Sequence, residues 1–96
     1  MSDSLQAIEN KIRKAVREGR YIITDHVIEE AKNDSLMIED IVTVLLNGIL
    51  LDVFEHDPRG VRYVVGAQIL ENDVEVVCRF RNDGTLLIVI TVYIVY

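Results

Sequence analysis

The length, composition and charge of the chain bound what kind of protein it is. Its 96 residues are 50% hydrophobic and 27% charged, which is typical of one globular domain and excludes intrinsic disorder. The 16 acidic and 10 basic residues give a formal net charge of −6, which argues against attraction of nucleic acid or an anionic membrane to the whole surface. This charge balance still leaves room for a small basic pocket.

Cysteine content and apolar runs indicate the compartment. The single cysteine, Cys78, cannot form an intramolecular disulfide, which is typical of a reducing environment. The first residues are polar and charged, unlike a secretory signal. The longest uncharged apolar run, residues 86–96, is shorter than the about 20 residues that a membrane-spanning helix needs. We therefore expect a cytoplasmic protein without a membrane partner.

Apolar residues at spacings of three and four predict three helices in the first half of the chain. The first helix covers residues 4–18, with Ser2, Asp3 or Ser4 as its cap and Gly19 after its end. Residues 21–23 are a short apolar connection or a strand. The second helix starts after Thr24 or Asp25 and runs to about Lys32, and the third covers about 38–47.

After Gly48 the apolar period changes from 3.6 to 2, which predicts strands. We place them at residues 49–55, 61–70, 74–81 and 85–95, with turns at 56–60, 71–73 and 82–84. Such short connections make neighbouring strands antiparallel. The chain is therefore predicted to be one α+β domain over residues 1–96, with its helices packed on one face of a four-stranded antiparallel meander.

Alternation along the strands divides the predicted sheet into two faces. The apolar rows should pack on the helices, and in the last strand we assign Leu86, Ile88, Ile90, Val92 and Ile94 to that row and Leu87 and Val89 to the other. The second face then carries polar or amphipathic side chains: Arg62, Gln68, Arg79, Arg81, Thr91 and Tyr93. Two interpretations stay open. This face is either an ordinary solvated surface or a phosphate-binding surface, because the arginine fork matches phosphate oxygens.

Short motifs in chain order resemble a known family. They are residues 23–27 (ITDHV), 38–41 (IEDI) with 47–48 (NG) beyond, 61–63 (VRY) and 87–93 (LIVITVY). This pattern is similar to the prokaryotic family called domain of unknown function 4258. The family usually has alanine after the histidine, arginine four residues after it and serine before the next helix. Here those positions are Val27, Glu30 and Met37.

The resemblance implies a fold and an activity. The family resembles RelE-like ribonuclease toxins in its helix-then-sheet layout, which implies a two-layer sandwich and the toxin half of a prokaryotic toxin–antitoxin pair. Such toxins cleave messenger RNA without a metal or other cofactor, on the open sheet face. Carried over to this chain, Arg62 and Arg79 would hold phosphate, His26 would act as acid or base, and Tyr93 would position RNA. Further RNA contacts would come from Arg81, Gln68 and Thr91.

Each candidate also has an ordinary structural role. His26 can bond Thr24, Asp25 or Glu30 at a helix start, and Arg62 can pair with Glu75 or Asp73 across strands. Tyr93 can pack at a sheet edge. With two histidines and one cysteine in the chain, we expect no metal site. The alternative function is a non-catalytic interaction module that dimerises or binds another protein.

Two features suggest association with a partner. The first helix carries a basic face, made of Lys11, Arg13, Lys14, Arg17 and Arg20, which is either solvated or docks an acidic antitoxin or RNA. Residues 86–96 are apolar on both strand faces, so this strand is either central in the sheet or covered by another chain. We predict association through that side, as a homodimer or a hetero-oligomer.

Overall fold

The helices form where the apolar spacing predicts them. In the computed structural model, which describes residues 4–81 and 83–96, they are α1 (Ser4–Arg17), α2 (Asp25–Asn33) and α3 (Ile38–Asn47). The Thr24 hydroxyl caps α2 by accepting a hydrogen bond from the Val27 amide at 3.3 Å. Gly19 follows α1 with φ +73°, a conformation that favours glycine. The roles predicted for Ser2, Asp3, the Ser4 side chain and Asn82 lie outside the described parts of the chain.

The strands form one mixed sheet of five strands in the order β1-β5-β4-β3-β2. Their bounds are β1 (Tyr21–Ile23), β2 (Ile49–Phe54), β3 (Arg62–Ile69), β4 (Asn72–Phe80) and β5 (Leu87–Val95). Strands β2 to β5 form the predicted antiparallel meander.

The prediction of a four-stranded, wholly antiparallel sheet is wrong, because β1 joins it parallel to β5. The Arg20 carbonyl begins this pairing by accepting a hydrogen bond from the Leu87 amide at 3.0 Å. Three residues are too few to display a period of two, so residues 21–23 could not be told from a simple connection.

The position of β5 explains why it is apolar on both faces. It lies between β1 and β4, and helix α2 also packs against it. A strand covered from several sides needs few polar side chains. Of the two alternatives for this strand, the central position is the one observed, and association through this side stays a prediction.

A bulge in β5 changes which side chains face the core. Val77 pairs with Thr91 but Cys78 pairs with Val89, so Ile90 is an extra residue in the ladder. One extra residue reverses the alternation. Leu87 and Val89 are therefore buried in the core, and the prediction that they face away from it is wrong.

The core lies between the helices and the inward row of the sheet. Helix α3 packs on β3 and β4, and α1 packs on α3. Each helix contributes fully buried residues, among them Ile12, Val27 and Ile41. The inward row of β4 and β5 contributes Val74, Val76, Cys78, Leu87, Val89 and Val92. The helices therefore leave the opposite face of the sheet for other contacts.

Candidate functional site

Among the hollows on the second face of the sheet, two differ in character. The larger, about 700 Å³, we call the acidic groove; it is lined by residues 51–57, Arg62, Val64, Glu75, Val77, Thr91 and Tyr93. The smaller, about 430 Å³, we call the basic hollow; it is lined by Arg79, Arg81, Asp83 and Ile88. Both volumes fall in the range of ligand-binding clefts.

A bulge and a glycine build the wall of the acidic groove. The pairing of β2 with β3 skips Leu51, which is therefore an extra residue in β2. A Cβ atom on Gly66 would meet the end of the Leu51 side chain, so glycine lets Leu51 lie over the sheet at this point without moving. Residues 51–57 then follow one side of the groove.

The floor of the groove is apolar and packed. Val64 and Val77 are paired across β3 and β4, and their exposed fractions are 5% and 8%. Both lie on the face opposite the core cluster. β-Branched pairs of this kind stabilise a sheet through side-chain contact. The second face is therefore not simply a solvated surface, since it holds a small apolar cluster of its own.

Arg62 is held by a carboxylate of the chain itself. Its Nε lies 2.9 Å from Asp57 Oδ2, although that buried N–H is not aligned to form a hydrogen bond. The Arg59 amide donates to Asp57 Oδ1 at 2.9 Å. That hydrogen bond lowers the pKa of Asp57 most, and the charges of Arg62 and Arg59 lower it further. Arg62 is thus in an ion pair, with Asp57 rather than with either predicted carboxylate.

Tyr93 is also bonded to a carboxylate of the chain. Its hydroxyl donates a hydrogen bond of 2.7 Å to Glu75 Oε1, across the pairing of β4 with β5. Desolvation, followed by this hydrogen bond and the Glu75 charge, raises the pKa of Tyr93 to about 12. The hydroxyl is therefore a persistent donor and a weak acid at neutral pH.

His26 reaches the second face through Glu30. Its Nε2 lies 3.4 Å from Glu30 Oε2, and the other oxygen, Oε1, accepts a 2.8 Å hydrogen bond from the Thr91 hydroxyl. His26 lies on helix α2, and its side chain is 78% exposed. The family arginine would stand at the Glu30 position, so this sequence has a carboxylate where the resemblance implies a cation.

The remaining RNA candidates do not gather in one place. Arg79 and Arg81 share the basic hollow, where Arg79 pairs with Ile88 across the strands. Among the described residues, neither arginine forms a salt bridge. Gln68 lies opposite Asp73 near the other end of β3. Six residues separate Gln68 from Arg62, which places them about 20 Å apart at 3.3 Å per residue.

The basic face of α1 is partly used inside the molecule. Arg13 donates to the Gly48 carbonyl at 3.0 Å, and Arg20 pairs with Glu18 at 2.8 Å and also donates to the Thr85 carbonyl. Arg17 is exposed. Two of these five basic side chains, Arg13 and Arg20, thus tie α1 and its end to connecting segments of the same chain.

Sequence reasoning offered Glu30 as a partner of His26, and the structure shows that contact, but it missed Asp57 at Arg62 and Glu75 at Tyr93. Glu75 was visible on the outward row of β4, and Glu30 lies one helical turn after His26. Asp57 sits in a turn, where no period predicts its direction. The outward row of β4 could therefore also have identified Glu75, whereas no signal identified Asp57.

The described residues offer little support for a metal site, a reactive thiol or a membrane-spanning helix. No group of three or more His, Cys, Asp or Glu side chains between residues 4 and 96, Asn82 apart, is placed to hold a metal ion. Cys78 is fully buried, and burial raises the pKa of its thiol to about 12, which disfavours the reactive thiolate. No helix in the described part of the chain is long and apolar enough to cross a membrane.

Comparison with known proteins identifies a family. No curated protein and no solved structure matches the chain. Residues 23–94, from β1 almost to the end of β5, match the family described as Domain of unknown function (DUF4258). This match covers most of the 96 residues and includes both the acidic groove and the basic hollow. The chain therefore belongs to the DUF4258 family.

Proposed function

We propose that the chain is a non-catalytic interaction module whose protein partner covers the second face of the sheet. One observation carries this proposal: a carboxylate of the chain holds each of His26, Arg62 and Tyr93. RNA phosphate would have to compete with these carboxylates for the same side chains. Carboxylates near the scissile phosphate also repel the negative charge that develops as RNA is cleaved.

Exposed apolar side chains around the groove support a protein partner. Leu51 and Phe54 on β2 are 48% and 49% exposed, and Tyr93 is 37% exposed. Together they surround the packed valine floor of the groove. Contiguous apolar surface with a polar rim is typical of protein interfaces.

Capture of the partner by cross-linking in native cells tests the proposal. We expect the wild type to capture a protein, and Phe54→Ser to capture it several-fold less, because interface aromatics contribute strongly to binding. The matched control is Leu70→Ser, since Leu70 is 91% exposed in the β3–β4 turn and lies outside the groove. Equal capture by Phe54→Ser and wild type would overturn the proposal. Failure of the wild type to capture any protein would do the same.

A second candidate is the metal-independent ribonuclease of the RelE type that the family resemblance implies, with an antitoxin as partner. The observation in its favour is the basic hollow, where Arg79 and Arg81 lie free of salt bridges among the described residues. Incubating purified protein with total RNA in EDTA distinguishes the two functions. Intact RNA is expected for the interaction module. Cleavage that is lost in Arg79→Ala would support the ribonuclease instead.

A further inference from the structure

The charge of the acidic groove indicates what kind of partner segment fits it. Four carboxylates line it, from Asp52, Glu55, Asp57 and Glu75, against a single guanidinium, from Arg62. Asp57 and Glu75 are engaged within the chain, but a carboxylate has about four acceptor positions and each is only partly used. Asp52 and Glu55 are exposed at the wall.

From these features we infer that the groove binds a cationic, amphipathic segment of a partner protein, in which Lys or Arg alternates with large apolar residues. The inference rests on the proposed function and adds the chemistry of the partner. Apolar side chains of the segment contact the exposed Leu51 and Phe54 above the packed valine floor, while its cations meet the carboxylates of the wall. Complementary charge of this kind speeds association and excludes acidic competitors.

The mode of binding follows from the edge of the sheet. β2 is the edge strand beside the groove. Two of its amides are already satisfied by carboxylates, since Leu50 N donates to Glu9 Oε2 at 2.7 Å and Val53 N donates to Asp52 Oδ1 at 2.8 Å. Adding a strand to β2 would require those amides. The segment therefore lies in the groove and binds through its side chains rather than extending the sheet.

Selection from a library of random displayed dodecapeptides tests this chemistry. Peptides enriched on the purified wild-type chain are expected to carry net positive charge with large apolar residues. Their affinity should fall about tenfold, or about 1.4 kcal/mol, for the double variant Asp52→Asn with Glu55→Gln, since two exposed ion pairs are lost. The matched control removes two exposed carboxylates outside the groove, Glu29→Gln with Glu71→Gln, and should leave affinity unchanged.

Several outcomes would overturn the inference. They are enriched peptides that are neutral or acidic, equal losses of affinity in both double variants, and no enrichment at all. A dimer in light scattering that Phe54→Ser converts to a monomer would also overturn it, because a second copy would then fill the groove.

The two proposals fail in different ways. If Phe54→Ser loses its cellular partner but the Asp52→Asn, Glu55→Gln variant retains it fully, protein binding stands and the cationic chemistry is wrong. If Phe54→Ser retains the partner, the proposed function itself is wrong.

Discussion

The acidic groove and the basic hollow lie on the same face of the same strand, yet they have opposite charge. Along β4, Glu75 and Val77 line the groove and Arg79 lines the hollow, together with Arg81 just after the end of the strand. Neighbouring outward positions on a strand are about 7 Å apart. The alternation of a strand thus decides which face of the sheet a side chain occupies. The position of that side chain along the strand decides whether it lines the acidic groove or the basic hollow. A ligand that suits one surface is repelled by the other.

The largest expected effect tests whether only the groove has a packed floor. Val77→Asp places a carboxylate among buried apolar groups and should lower the free energy of unfolding by about 3 kcal/mol. Ile88→Asp, in the half-buried wall of the basic hollow and opposite Arg79, should cost about 1 kcal/mol. Urea denaturation measures both. Equal losses would contradict a difference in packing between the two surfaces.

The second expected effect concerns the tyrosine of the groove. Ultraviolet titration of the phenolate should show one tyrosine with a pKa of about 12, absent in Tyr93→Phe. Glu75→Gln should lower that pKa without restoring the ordinary value, because desolvation remains its first cause. Folding raises the pKa of Tyr93, so its contribution to stability is complete below its unfolded pKa, near 10, and is lost as pH rises toward 12. An unchanged Tyr93 pKa in Glu75→Gln would show that the hydrogen bond is not formed in solution.

A smaller effect is expected when the salt dependence of RNA binding is compared between variants that lack one arginine of either region. If the hollow binds single-stranded RNA, Arg79→Ala should reduce the slope of log affinity against log salt by about 0.7. Arg62→Ala should change it less, because Asp57 already neutralises Arg62. Filter binding at several salt concentrations measures the slopes. A larger change for Arg62→Ala would reverse the roles assigned to the two arginines.

The smallest expected effect comes from a substitution outside both regions. It shows whether a change in stability alone alters the binding measurements. Met37 precedes α3 and its side chain makes no capping hydrogen bond, while the Asp40 carboxylate accepts from Met37 N at 2.8 Å. Met37→Ser would supply the missing hydroxyl and should raise stability by about 1 kcal/mol. Thermal unfolding measures this change. Altered peptide or RNA affinity in the same variant would mean that stability alone shifts the binding measurements.

Much of the fold could be predicted from the sequence because its signals are local. Helix spacing, the Thr24 cap and the turn glycines each depend on a few neighbouring residues. The parallel pairing of Tyr21–Ile23 with β5 could not be predicted, since it joins segments far apart in the chain. The bulge at Ile90 was also hidden, because residues 86–90, which lead into it, are all apolar. Where both rows of a strand are apolar, the sequence does not show which row faces the core.

The site was harder to predict for a related reason. Alternation correctly placed Arg62, Arg79, Thr91 and Tyr93 on the second face. It also placed Glu75 on that face, but it could not show that Asp57 and Glu30 would reach these residues, because Asp57 arrives from a turn and Glu30 from a helix beside the sheet. Such partners are set by tertiary packing, which a period in one strand does not encode.

The bulge at Ile90 has a consequence for how relatives should be compared. Removing this single residue would make the ladder regular and leave Thr91 and Tyr93 on the second face and Val92 in the core, because Val77 with Thr91 and Cys78 with Val89 would then be consecutive pairs. A one-residue gap at Ile90 would therefore leave the exposed surface unchanged. An alignment that places the gap elsewhere would equate inward positions with outward ones. Homologues of this chain should be aligned by strand pairing before any residue is judged conserved.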